Sequence, residues 1–225
     1  MVNKVTATFL GIDLLFAATG AIVLAFSVIV KTQCLETPTN GTMAARNLLY
    51  QMFPFTAGIA NGVLTFIAFL FTLPAMATNS RGWYKFAAAI VIASGLFTLG
   101  IGLDLWILTL RVKENFSPIW NAQSSAVQSL MQTSFQCCGY ANSTSPAFVT
   151  DSVCNSPASA ALMSGCESLI SRFSNTFIDD IFTSLFGIVV VDTLLILAIA
   201  CVLKDRKEME RFRYIDEKNG VRGTF

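Results

Sequence analysis

Apolar residues dominate four stretches of this chain, 9–30, 53–73, 86–110 and 182–203. Each is long enough to cross about 30 Å of hydrocarbon at about 1.5 Å per helical residue. The polar remainder falls into five pieces: 1–8, 31–52, 74–85, 111–181 and 204–225. Only 111–181 is long enough to fold into a body of its own, and it is near the size at which a hydrophobic core needs covalent staples. At its start Val127, Leu130, Met131 and Phe135 recur at helical spacing. At its end Leu162, Cys166, Leu169, Ile170, Phe173 and Phe177 do the same and lead directly into the fourth apolar stretch. The segment between, rich in Ser, Asn and Pro, has no helical period. The pattern predicts an all-α membrane protein: four transmembrane helices, a small loop, and a large helical loop with an irregular head.

Composition strengthens the membrane reading. The chain is 54% hydrophobic and 13% charged, about half the charged share of a soluble globular domain. The first stretch is too long for a cleaved signal segment and is read as a span. Four spans place both termini on one side. Ten Lys and Arg lie in the pieces on that side, among them Arg81, Lys204 and Arg206, against five on the other, spread over more chain. The positive-inside bias therefore predicts cytoplasmic termini, and the expected location is multi-pass in the plasma membrane. A formal charge of +1 argues against a nucleic-acid partner, which would need a basic face.

Six cysteines are present, and four of them, Cys137, Cys138, Cys154 and Cys166, lie in the predicted outer loop, where an oxidising compartment lets disulfides persist. Four cysteines allow three pairings. A Cys137–Cys138 link would be a strained vicinal bridge, which leaves two. The tripeptide Cys137-Cys138-Gly139, placed before the last span and followed by two more cysteines, resembles the signature of the tetraspanin family. The resemblance extends to Asp13-Leu14-Leu15-Phe16 and Gly20 in the first span, and to Asn61, Asp104 and Asp192 in the others. It implies pairing of Cys137 with Cys166 and of Cys138 with Cys154. It also implies a scaffold that gathers other integral membrane proteins, tetraspanins among them, through its large loop. The short head and the acidic substitutions look most like tetraspanins of filamentous fungi, whose role would be in host penetration. In the family, cysteines at the inner membrane edge are acylated; here only Cys201 holds such a place.

The intramembrane polar residues have two readings. Asp104 lies about 9 Å and Asn61 about 12 Å from the outer ends of their spans, nearly level, so a shared hydrogen bond is expected. Asp13 lies too far along the first span to join them. Interhelical hydrogen bonding is the bland reading and a small transporter or channel using Asp13, Asp104 and Asp192 the sharp one. Close helix packing is expected at Gly58, Gly62, Gly20 and Gly100. The resemblance adds a cavity able to hold a sterol, hydrogen-bonded by Asn61 or Asp104; no other cofactor is expected.

The chain has no His, no nucleophile elbow, no phosphate loop and no clustered metal ligands, so no catalytic set is expected. Three glycosylation triplets start at Asn40, Asn115 and Asn142; Asn142 is the best placed and Asn40 the second, whereas Asn115 adjoins the membrane and precedes Pro118. In the head, Tyr140, Phe148 and Val149 look exposed among small polar residues and are the expected partner-binding patch.

Overall fold

The computed structural model describes residues 4–33, 36–78, 81–144 and 147–218. Cys34, an odd thiol in the sequence, lies outside them. Eight helices and no strand occur among the described residues: α1 (Lys4–Gln33), α2 (Gly41–Tyr50), α3 (Phe55–Ala77), α4 (Arg81–Leu110), α5 (Val112–Asn121), α6 (Ser125–Phe135), α7 (Pro157–Ala161) and α8 (Cys166–Lys218). The helices α1, α3, α4 and α8 are long and apolar enough to cross a membrane, and two disulfides lie between α6 and α8. The protein is an all-α, four-span integral membrane protein.

The chain forms two compact units. The first comprises Met1–Ala25, Thr56–Gly100 and Leu185–Phe225. Its core stacks Phe9 and Phe16 of α1, Ala68 and Ala75 of α3, Tyr84, Ala87 and Val91 of α4, and Leu195, Ile199 and Val202 of α8. The small residues show why the helices can approach so closely. A Cβ on Gly20 would come within 2.6 Å of the Thr65 methyl, and one on Gly62 within 2.8 Å of Leu24 Cβ and 3.2 Å of the Gly20 carbonyl. Backbone thus meets backbone where α1 crosses α3, and dispersion replaces the hydrophobic drive that lipid does not supply. Gly100, expected to serve similarly, has open space beside it. At the far end of this unit Arg206 ties three helices together. Its Nη1 donates to the Thr78 carbonyl at 2.6 Å and its guanidinium lies 4.5 Å from the centre of the Tyr84 ring, while Arg81 pairs with Glu210.

The second unit comprises Phe26–Phe55 and Ile101–Ser184. It contains a helix that the hydrophobic pattern does not predict. The run Thr37-Pro38-Thr39-Asn40-Gly41 reads as a turn, yet Asn40 caps α2, its side-chain oxygen accepting from Met43 N at 2.7 Å. Helix α2 then packs on α6. A Cβ at Gly41 would collide with the Leu130 carbonyl, and Gly41 N donates to Ser134 Oγ at 3.0 Å. An aromatic chain runs from Phe135 to Phe173 to Phe177 to Tyr50, with ring centroids 5.7, 6.3 and 5.9 Å apart in turn. Leu162 does not belong to the returning helix, which begins at Cys166; it caps α7 instead and is 89% exposed.

Candidate functional site

The head between α6 and α8 is the part of the second unit with the most elaborate bonding. Helix α6 ends at Gln136, which takes the left-handed conformation (φ 51°) usually left to Gly. Gly139, at φ 70°, makes the next such turn, so the two adjacent cysteines leave the helix between two left-handed residues and diverge. Cys137 bonds to Cys166 and Cys138 to Cys154, the pairs that the Cys-Cys-Gly resemblance implies. Backbone bonds reinforce the first bridge: Cys138 N donates to Ser164 O, Cys166 N to Gly139 O and Glu167 N to Tyr140 O, at 3.0–3.1 Å. Gly165 has no room for a side chain, since a Cβ would meet the carbonyls of Tyr140 and Ala141.

Gln132 holds the other half of the head together. It is fully buried. Its Oε1 accepts from Gly139 N at 3.3 Å and Val149 N at 3.1 Å, and its Nε2 donates to Val149 O and Asp151 Oδ2, both at 2.7 Å. Asp151 Oδ1 in turn accepts from Val153 N and Cys154 N. One amide therefore satisfies the backbone groups Gly139 N, Val149 N and Val149 O, as a loop folded against a buried side chain requires. Sequence reasoning missed Gln132 because it sits among the apolar positions of α6 and its partners lie 7 to 19 residues away.

The expected partner-binding patch changes accordingly. Tyr140 is buried, 4% exposed, with its ring 5.6 Å from that of Trp120. Burial, with a smaller contribution from the Glu167 charge, pushes its phenol up to about 12. It is a core residue and not the exposed ring expected. Phe148 is half-buried and packs on the small core of Cys138, Cys154 and Ala160, beside Val153 and Met163. Val149 is half-buried and fixed through its backbone. The side chain that stands out is Leu162, which its helical spacing had assigned to the stalk.

The triplets differ in setting. Asn40 and Asn142 are exposed, and in each the hydroxyl two residues on donates to the Asn Oδ1 at 2.9 Å, from Thr42 and Thr144. Asn115 is inside α5. Cys201 is a free, exposed thiol.

The intramembrane polar residues separate into two groups. In the first unit, Asn61 Nδ2 donates to Thr98 Oγ1 at 2.9 Å and Thr98 Oγ1 lies 3.3 Å from Asn61 Oδ1. Thr65 and Ser94 pair at 3.3 Å. Asp13, fully buried, accepts from Thr72 Oγ1 at 2.7 Å, and Asp192, 2% exposed, lies against Gly95. Asp104 is exposed. The expected Asn61–Asp104 hydrogen bond is not the one made: Asn61 pairs with Thr98. An open groove of about 500 Å³ beside Phe71, Gly82, Trp83 and Phe86 lies near the other end of α3 from Asn61. Among the described residues no cluster of metal-ligating side chains occurs.

The fold and the head together define a four-span membrane protein whose third inter-span loop is a doubly stapled, internally hydrogen-bonded body. The chain matches no protein-family model, no curated protein and no solved structure.

Proposed function

We propose that this chain is a tetraspanin-like lateral organiser, which gathers partner membrane proteins through the head of its large loop and catalyses no reaction. The observation that carries the reading is the head itself. Two disulfides and the Gln132 hub hold it in one arrangement, and Leu162 projects from it at 89% exposure. A pre-ordered body with an exposed apolar side chain binds at reduced entropic cost. In this proposal the termini are cytoplasmic, the head faces outward at the plasma membrane, Asn142 and Asn40 carry glycans, and Cys201 is acylated. A role in host penetration, and a bound sterol, belong to the same resemblance. The partner contact comprises Leu162 with the accessible edges of Phe148 and Val149.

Grafting residues 140–165 onto another four-cysteine tetraspanin, followed by proximity labelling in cells, tests the reading. The labelled set should move toward that of this chain, and Leu162→Ser should reverse the shift without altering surface delivery. A chimera that labels only its host's partners would place specificity outside the head.

The transporter reading draws on one observation: Asp13 Oδ1 and Asp192 Oδ2 are buried without a hydrogen-bond partner among the described residues. Proteoliposomes holding the protein should show no proton or cation flux above empty vesicles; a flux removed by Asp13→Asn or Asp192→Asn would establish transport.

A further inference from the structure

Three acids interrupt the membrane spans, and the fold treats them differently. Asp13 and Asp192 are turned inward, at 0% and 2% exposure. Asp104 is turned outward. Its neighbours Gly102 and Leu105 are buried, but each residue advances about 100° around a helix, and Asp104 falls on the opposite side of that buried line. Beside it the exposed surface is apolar: Ile107, on the same side of the helix, is 48% exposed, and Leu103 and Leu110, next around the helix, are 41% and 70% exposed. All of 105–110 except Thr109 is apolar, so the carboxyl stands among side chains suited to face hydrocarbon. No hydrogen bond or ion pair to Asp104 is present among the described residues. A carboxyl that faces hydrocarbon without a partner is unfavourable.

We propose that Asp104 is a lateral docking point for a membrane-spanning helix of another protein, one that carries a Lys or Arg about 9 Å from its membrane end. Charge complementarity selects this occupant. A cation supplies the opposite charge and several donors to the same carboxyl. A second copy of this chain carries no basic side chain at that depth, because 9–30, 53–73, 86–110 and 182–203 contain no Lys, Arg or His. The flanking Leu103, Ile107 and Leu110 give the partner helix an apolar surface to pack on, and packing is what makes such an encounter durable in lipid. This deepens the organiser reading by naming the chemistry of a partner, and it places that contact in the membrane instead of the head.

The test uses the full chain in lipid nanodiscs with a synthetic apolar helix of about 22 residues as probe, bearing one Lys six residues from its end, and fluorescence transfer as the readout. The Lys helix should associate roughly five- to thirtyfold more tightly than the same helix with Leu in that place. Asp104→Leu should bring the two to the same weak affinity, and Asp104→Lys should switch preference to a probe bearing Asp. Because Asp104 is exposed and makes no hydrogen bond or ion pair among the described residues, both variants should keep wild-type helicity and disulfides. Equal affinity of the Lys and Leu probes for the wild-type chain would overturn the proposal. So would Lys-probe binding that survives Asp104→Leu, or an Asp104-dependent self-association of the chain in the absence of probe. The probe does not touch the head, so this outcome is independent of the grafting experiment.

Discussion

The two units solve the same problem, holding helices together, with different chemistry. In the first, polar side chains pair one to one across the spans, Asn61 with Thr98, Thr65 with Ser94 and Asp13 with Thr72, and helices touch through glycines such as Gly20 and Gly62. In the second, two disulfides and one glutamine hub fasten a small body. Their surroundings account for the contrast. Lipid offers no hydrophobic drive between apolar helices, so close packing and scattered hydrogen bonds must hold them. The head is too small for its apolar core to offset its chain entropy, so cross-links lower the entropy of the unfolded chain. Losing one bond should therefore be a small, local event in the first unit and a large, cooperative one in the head.

The strongest way to break the comparison is to remove a staple. Replacing Cys137 and Cys166 with Ser opens a link across 29 residues and should cost the head roughly 3–4 kcal/mol in the chain-entropy picture. Limited proteolysis should then cut within 139–165 while the helical circular dichroism of the spans persists. Equal loss in both regions would mean that the units do not fold separately. Next is Gln132→Leu, which strands four hydrogen-bonding groups of Gly139, Val149 and Asp151. A loss of about 2–4 kcal/mol is expected, read as earlier thermal loss of protease resistance in the head with both disulfides still formed. A gain sharpens the picture from the other side. Gln136 is exposed in a left-handed conformation, so Gln136→Gly should stabilise the head by about 1 kcal/mol, seen as a higher midpoint of the same transition. The smallest effect belongs to the spans: Thr72→Val removes the single hydrogen bond to Asp13 and should cost only ~0.6 kcal/mol in the bilayer, measured by reversible unfolding in mixed micelles. A loss several times larger would show that buried carboxyls here depend on their partners as strongly as the head depends on Gln132.

Much of the architecture is written locally. The four spans follow from uninterrupted apolar runs, because insertion into hydrocarbon sums over consecutive residues with little regard to what they later touch. The helices of the stalk follow from spacing, as at Val127, Leu130, Met131 and Phe135. The strain of a Cys137–Cys138 bridge narrows the disulfide pairing to two choices, and the resemblance at Cys137-Cys138-Gly139 implies the pairs found. Other features depended on partners distant in sequence. Tyr140 reads as exposed until Trp120 covers it, Gln132 has no visible role until Gly139, Val149 and Asp151 come within its reach, and Leu162 fits the periodicity of a helix that begins only at Cys166. The rotation of the spans is the clearest case. A helix apolar on every side carries no amphipathic phase, so nothing along 86–110 says that Asp104 turns outward, or along 9–30 and 182–203 that Asp13 and Asp192 turn in. Sequence alone determined that three acids would lie within the membrane; only the packing of the helices, set by where small residues let backbones meet, decided which two are buried and which one faces outward.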